Sequence, residues 1–520
     1  MYEEYNLITE PWILCLDLSG KKRKYSLLEV LGQAHQLDGL LSMAPVVKAS
    51  LYRLLLVILG RVFGPHDMTE WVQIQQAGAF DRQKIGSYFS RWEHRFNLFD
   101  DKRPFYQVAD RRVKPKMLLK MVPHLSSGNN ATLFDHSTEV CGVTMEPDEA
   151  ACYLVALQYY GLGGLTGIEE KFTSAPPCRG ISFFVQGKNL FDTLLLNMIC
   201  IGDDNLHAIP TSDPERDIPC WEMEDPYQPR KIPYGLFDYL TWQNRHVLLY
   251  PELENGHLVV RKMTEAPGMR LDDKFITGTT IRDPYQYYYQ GSSDPTELRF
   301  HEERAVWRDS AVLLNFTDDQ THLLAPPNLI WLHMLSKRGK LEKKATYQLN
   351  ALGMAADKAK VLFYGDENLP LPAPYLEDID LVSDLQNALS KAEALSKTLF
   401  SAISRMAEII ISFDCDLKGS KPDAKMVDAL RNHLRGDPVF WSGLENGFYV
   451  LIKNIPIERK KALAEWDKLL HDQTWHALEY SQRMAGDDLR AQKAAVSAGA
   501  IVGGGIKKIL NIQREEVLNE

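Results

Sequence analysis

The stretch best suited to chemistry is Gly161-Leu162-Gly163-Gly164-Leu165-Thr166-Gly167. A chain without Cβ atoms lets backbone N–H groups come close to an anion, which is how glycine-rich turns cradle phosphates. The dinucleotide fingerprint G-x-G-x-x-G needs a third glycine where Thr166 stands. It also needs a preceding strand, whereas Met145 to Tyr160 reads as a helix. No Gly-Lys-Ser/Thr follows, so the loop is not a Walker A motif. Two readings stay open: a flexible turn after a helix, or a low-bulk loop whose backbone lies against a phosphate or a groove. An enzyme using Gly161–Gly167 for a nucleotide or phosphorylated substrate is the catalytic alternative.

The other reactive side chains form no recognisable set. His471 and His476 are five apart and do not share a helix face. His301-Glu302-Glu303 lacks the second histidine of a zinc-protease motif. No serine sits in a G-x-S-x-G elbow, and no pair of acids has a spacing that marks general acid–base work. No catalytic residue, metal site or cofactor is expected. Basic residues cluster once: Asp110 to Lys120 holds five cations against one acid. A Gly/Asn-rich tract, Ser126 to Ala131, follows and leads to Leu133-Phe134-Asp135-His136. This reads either as a mobile loop whose aromatic tip meets a partner or as a surface loop with Phe134 tucked into the core.

The elements that must position these residues fall into two parts. Pro370, Pro372 and Pro374 cannot continue a helix or a central strand and mark the boundary. Residues 376–520 read as helices. Leu385, Ala388, Leu389, Ala392, Leu395, Leu399, Ile403 and Met406 make one apolar stripe, and further helices are expected at 423–454, 458–485 and 488–510. Short links between them predict an antiparallel four-helix bundle. Residues 1–370 are mixed. Helices are expected over Pro45–Val62 and Met145–Tyr160, a strand at Ile181–Val185, and a hairpin turning at Asn255-Gly256. The fold class is α+β: a large irregular mixed α/β N-terminal domain followed by the bundle.

Hydrophobic residues make up 45% and charged residues 25% of the 520, the range of ordinary globular chains. The formal charge of −10 is unlike a free-standing nucleic-acid binder, so contact with DNA requires local patches or basic partners. The seven cysteines show no C-x-x-C pair and lie in apolar company, which fits reduced thiols in a cytoplasm. No run is long and apolar enough to span a membrane, and the first residues do not read as a signal peptide.

In order and spacing, several segments together resemble the CasA family, the large subunit of the type I-E CRISPR Cascade complex. They are Asn6–Ile13, Ala131–His136, Gly161–Gly164, Arg179–Gly187, Leu194–Asn197, Arg282-Asp283-Pro284 and Val306–Asp309, followed by the helical C-terminal part. The resemblance implies a non-catalytic subunit whose partners are the other Cascade proteins, the guide CRISPR RNA, target double-stranded DNA and the CRISPR helicase–nuclease. It implies reading of the protospacer-adjacent motif from the minor groove, and help with strand separation. Carried over by motif, Gly161, Leu162, Gly163 and Gly164 are the minor-groove loop. Leu133, Phe134 and Asp135 are the docking loop, where the family can carry Phe-Val-Asn. Asn350, Ala351 and Leu352 match the wedge at a hairpin tip, with Ala351 where some relatives have glutamine. Lys274 is matched to the minor-groove lysine, with Lys262 and Arg270 as rivals.

Overall fold

A computed structural model describes residues 4–42, 44–122, 143–202, 206, 209, 211–272, 282–290, 295–316, 323–412 and 422–511. Its strands are β1 (Ile13–Asp17), β2 (Lys22–Tyr25), β3 (Leu37–Leu40), β4 (Lys116–Met117), β5 (Ser182–Gln186), β6 (Arg245–Glu254), β7 (His257–Pro267), β8 (Tyr288–Tyr289), β9 (Thr296–Glu297), β10 (Leu323–Leu324), β11 (Thr346–Asp357) and β12 (Lys360–Pro372). The helices are α1 (Leu27–Gly32), α2 (Pro45–Val62), α3 (Met68–Ala77), α4 (Arg82–Trp92), α5 (Pro147–Tyr160), α6 (Leu190–Leu196), α7 (Leu236–Leu240), α8 (Ser310–Leu313), α9 (Pro327–Lys337), α10 (Ile379–Ile411), α11 (Ala424–Leu434), α12 (Gly436–Ala485) and α13 (Leu489–Ile509).

The chain divides into two compact units. One comprises Met1–Val306, Asp318–Lys343 and Tyr347–Leu369; the other comprises Trp307–Thr317, Lys344–Thr346 and Pro370–Glu520. Two short segments from before Pro370 thus belong with the helical unit, a division that proline spacing cannot reveal.

Among the described residues the strands form four small sheets, ordered β2-β1-β3, β10-β8-β9, β12-β11-β5 and β4-β7-β6. Local chemistry sets the ends of their neighbours. Pro45 and Pro147 stand in the first turns of α2 and α5, where a missing N–H costs nothing. Asp67, Asp81 and Asn189 cap α3, α4 and α6 with side-chain oxygens. Helix α2 is buried on nearly every side, as its apolar run from Leu54 to Leu59 requires. The β6–β7 hairpin turns at Asn255 (φ 51°) and Gly256 (φ 82°), the two left-handed residues that a type I′ turn needs.

Strand β12 runs on through Pro370 to Pro372. It is an edge strand of its sheet, where a residue without an N–H is tolerated. The helix expected at 423–454 is broken at Arg435, which takes a left-handed conformation (φ 51°, ψ 27°) between α11 and α12. Gly436 follows, where a Cβ would press on Ile403 Cδ1 and Ser481 Oγ.

The second unit is a cluster of long helices forming a bundle. Helix α10 packs on α11, α12 and α13, and buries the stripe running from Leu381 to Met406. Pro456 and the non-helical Glu458 (φ −133°, ψ 60°) divide α12 into two stretches. Among the described residues no helix is long and apolar enough to cross a membrane.

Candidate nucleic-acid interface

The glycine loop leaves the C-terminus of α5, where the Gly161 N–H donates to the Leu157 carbonyl at 3.0 Å. It then turns back on itself. Gly164 and Phe172 form an antiparallel bridge through reciprocal backbone hydrogen bonds of 3.1 and 3.0 Å, and the Ala175 N–H donates to the Gly161 carbonyl at 2.8 Å. Gly167, at φ +86°, makes the turn. Thr166 Oγ1 accepts from the Ile168 N–H and donates to the Glu170 carbonyl. At the outer end, the Leu165 side chain is 85% exposed.

The three glycines have different reasons to be glycine. A Cβ on Gly161 would lie 2.7 Å from the Leu157 carbonyl oxygen, and Gly161 is buried. Its small size therefore serves packing, contrary to the expectation of a bare outer surface at all four positions. A Cβ on Gly163 would lie 3.1 Å from the Ser174 nitrogen, whereas one on Gly164 would meet only Ala359. Leu162, Gly163 and Gly164 are half-buried.

Arg245, at the start of β6, ties both limbs of the loop together. Its Nη2 donates to the Leu162 carbonyl and its Nη1 to the Thr173 carbonyl, each at 2.8 Å, and its guanidinium lies 4.6 Å from the Phe172 ring centroid. The side chain is almost wholly buried, and burial pulls its pKa below the ordinary arginine value while Glu265, 3.5 Å from Nε, favours the charged form. A second anchor is exposed: Arg112 bridges Glu170 and Asp110, at 2.6 Å each. The hydrogen bonds from Arg112 hold the Asp110 carboxyl well below the usual carboxylate range.

The wedge expected at Asn350, Ala351 and Leu352 is not a hairpin tip. All three are buried in the middle of β11, opposite Phe184, Phe183 and Ser182 of β5. Asn350 donates to Asp366 at 2.7 Å. A run buried from Leu349 to Ala355 must fill a sheet interior, and the chain can turn only where polar residues interrupt it. The turn is Lys358-Ala359, between the ends of β11 and β12, with Lys358 at φ 53°. Lys358, Ala359 and Lys360 are exposed, and neither lysine has a carboxylate within 4.0 Å among the described residues. Lys171, on the glycine loop, is exposed and unpaired in the same sense, as is the acid Glu169.

Of the remaining expected residues, Leu133, Phe134, Asp135 and Lys274 lie outside the described residues. Lys262 is on β7 and pairs with Glu252 at 3.3 Å. Arg270 is exposed at the rim of a cavity that Arg112 and Glu170 also line. Among the described residues no three His, Cys, Asp or Glu side chains gather as metal ligands. The described cysteines, Cys15, Cys152, Cys178, Cys200 and Cys220, are free thiols. Sequence reasoning missed Arg245 and the Lys358-Ala359 turn. The turn had a signal, the charged break Asp357-Lys358-Ala359-Lys360 after an apolar run; the arginine had none.

Comparison with known proteins accords with this architecture. The family model described as CRISPR-associated protein Cse1 matches residues 6–477. A CRISPR-associated protein CasA/Cse1 of Thermus thermophilus is 30% identical over 511 residues, covering 95% of each chain. A crystal structure of CasA from Thermus thermophilus superposes with a TM-score of 0.80 at 27% identity, covering 97% of this chain and 100% of that one. A chain of a solved CRISPR RNA-guided surveillance complex shares the fold, with a TM-score of 0.76 at 20% identity over 96% of this chain and 100% of its own. The chain belongs to the Cse1 family of CRISPR-associated proteins, the CasA family that its sequence resembles.

Proposed function

We propose that this protein is the non-catalytic large subunit of a cytoplasmic, RNA-guided type I-E Cascade complex. In that reading it recognises the protospacer-adjacent motif of target double-stranded DNA, aids strand separation and recruits the helicase–nuclease. Its partners are the other Cascade proteins and the guide RNA. The family membership and the likeness to a surveillance-complex chain support the assembly. Guide pairing supplies the long sequence match in such systems, and protein reads only the short flanking motif.

One observation carries the DNA-reading role: the half-exposed Gly163-Gly164 backbone lies beside the Lys358-Ala359 turn, with unpaired lysines on both. A minor groove is only about 6 Å wide and admits a strip of backbone more readily than side chains. Lysines at its rim neutralise phosphates. The element that parts the strands is then the Lys358-Ala359 turn, whose residues are free to enter a base step, and not Asn350–Leu352.

The test is target binding by the reconstituted complex with Gly164→Leu, and with Lys358→Ala and Lys360→Ala together. Gly164→Leu is expected to weaken motif-dependent duplex binding by about tenfold, or about 1.4 kcal/mol. The lysine pair should flatten the dependence of log affinity on log salt by about 0.9 per lost contact. Normal affinity and salt slope in both variants would remove the DNA-reading assignment.

A further inference from the structure

A cavity of about 420 Å³, lined by no residue of the glycine loop, lies in the first unit between the segment Arg95–Ala109 and the segment Cys220–Tyr227. Its size is that of a site for one small ligand. Arg95 lines it, 7% exposed. Nη1 of Arg95 donates to the Met223 carbonyl at 3.1 Å. Among the described residues no other acceptor meets this guanidinium, and no carboxylate lies within 4.0 Å of it. The neighbouring Cys220 thiol gives no countercharge, since burial raises its pKa. Isolated buried charges are costly and ordinarily find a partner. A guanidinium left with most of its donors facing a cavity is poised for an anion, and its planar fork suits phosphate.

The rest of the lining narrows the ligand. Tyr106 is held at φ 57°, a conformation unusual for an aromatic residue, and its ring stacks on Phe105 with centroids 4.4 Å apart. Trp221 packs on Phe105 and Tyr106, with centroids 6.2 and 6.1 Å apart, and the half-buried Tyr227 also lines the cavity. Strained backbone tends to gather at functional sites. The exposed Lys102 and Arg103 line the cavity together with the exposed acids Asp101, Glu224 and Asp225. Three cations at the site against three acids favour a singly charged phosphodiester over a dianionic free phosphate. The half-buried Tyr227 ring adds a surface for a base, and a base still paired in a duplex cannot enter a cavity.

We propose that this cavity is a binding site for one unpaired nucleotide of a nucleic-acid strand, with its phosphodiester on Arg95 and its base against the Tyr227 ring. The site needs neither the glycine loop nor the Lys358-Ala359 turn. Its ligand comes from a separated DNA strand or from RNA.

The experiment uses the isolated full-length protein and anisotropy titration with labelled single strands of about ten nucleotides, one of DNA and one of RNA, with inorganic phosphate as competitor. Arg95→Met and Arg95→Lys are compared with the parent. The parent is expected to bind at least one strand, and millimolar phosphate to compete poorly. Both variants should lose about tenfold in affinity or more. The DNA or RNA preference identifies the source. Arg95→Met is expected to keep or raise Tm, because it removes an unpaired buried charge, whereas a structural arginine would lower it. If Arg95→Met fails to fold, Arg95→Lys decides, since it keeps the charge and loses the fork. Absence of strand binding by the parent, or unchanged affinity in a folded Arg95 variant, overturns the site. Neither result touches the duplex-reading role, which is measured in the complex on different residues.

Discussion

Gly164 faces Ala359 so closely that a methyl group added at Gly164 would meet the Ala359 Cβ at 3.4 Å, an ordinary van der Waals contact. The loop and the hairpin turn therefore leave room for one alanine and no more. Gly164→Ala is expected to change unfolding free energy by less than about 0.5 kcal/mol. At Gly161, the added methyl runs into the Leu157 carbonyl at 2.7 Å, a backbone atom that cannot step aside. Gly161→Ala should cost about 1–3 kcal/mol, the range for overpacking a filled site. Urea denaturation of both variants checks the order. Equal stability would mean that the loop is not seated on α5 as described.

Arg245 is expected to be the anchor on which the loop's shape depends. Arg245→Met removes donors from the Leu162 and Thr173 carbonyls and leaves the buried Glu265 with Lys116, 3.8 Å away. Breaking a buried charge pair from one side typically costs about 3–5 kcal/mol. Hydrogen exchange should show lost protection at the Gly164 and Phe172 amides, which close the loop, beyond the change elsewhere. Unaltered exchange at those two amides would contradict the anchoring role.

A second buried pair supports the core beneath. Arg53 of α2 and Asp283 are both fully buried and 2.8 Å apart, with Tyr239 donating to Asp283 at 3.1 Å and the Arg53 guanidinium over the Tyr159 and Tyr285 rings. Arg53→Met should lower stability by about 3–5 kcal/mol. Replacing Asp283 by leucine in the same chain should recover part of that loss, since no lone charge is then left. The double-mutant cycle in urea measures the coupling; additive losses would show that the pair does not act as one.

Asp217 gives the protein a pH dependence of opposite sign to the usual acid loss. Burial raises its carboxyl pKa to about 6, even though the Asp238 N–H donates to it at 3.0 Å. An aspartate in an unfolded chain titrates near 3.9. The group therefore favours the folded state fully below about pH 4, and that contribution is lost as pH rises through about 6. Asp217→Asn keeps an acceptor for the same N–H and removes the charge. It should stabilise the protein by about 2–3 kcal/mol at pH 8 and by little at pH 4. Denaturation of both proteins at the two pH values provides the comparison, and a gain independent of pH would refute the assignment.

Much of the fold was legible because it is written in short-range terms. Pro45 and Pro147 announce the helices they begin, Asn255-Gly256 announces its turn, and the stripe from Leu385 to Met406 announces a long helix with one buried face. Each depends on steric or hydrogen-bonding preferences of residues a few positions apart. The break at Arg435 was not legible, since a left-handed arginine carries no compositional sign. The hairpin tip expected at Asn350-Ala351-Leu352 lies further on, because those residues were matched by resemblance, while the burial of the run through Ala355 decides where the hairpin can turn.

By itself the sequence determined that a glycine-rich loop follows a helix, that a helical part follows a mixed one, and that no familiar catalytic set is present. Only the tertiary structure decided what the loop is fastened to and what it faces. Arg245 is 83 residues from the carbonyl of Leu162, and Arg53 is 230 from Asp283. Such pairings are selected by packing and by the need of buried polar groups for partners, and neither leaves a local pattern along the chain.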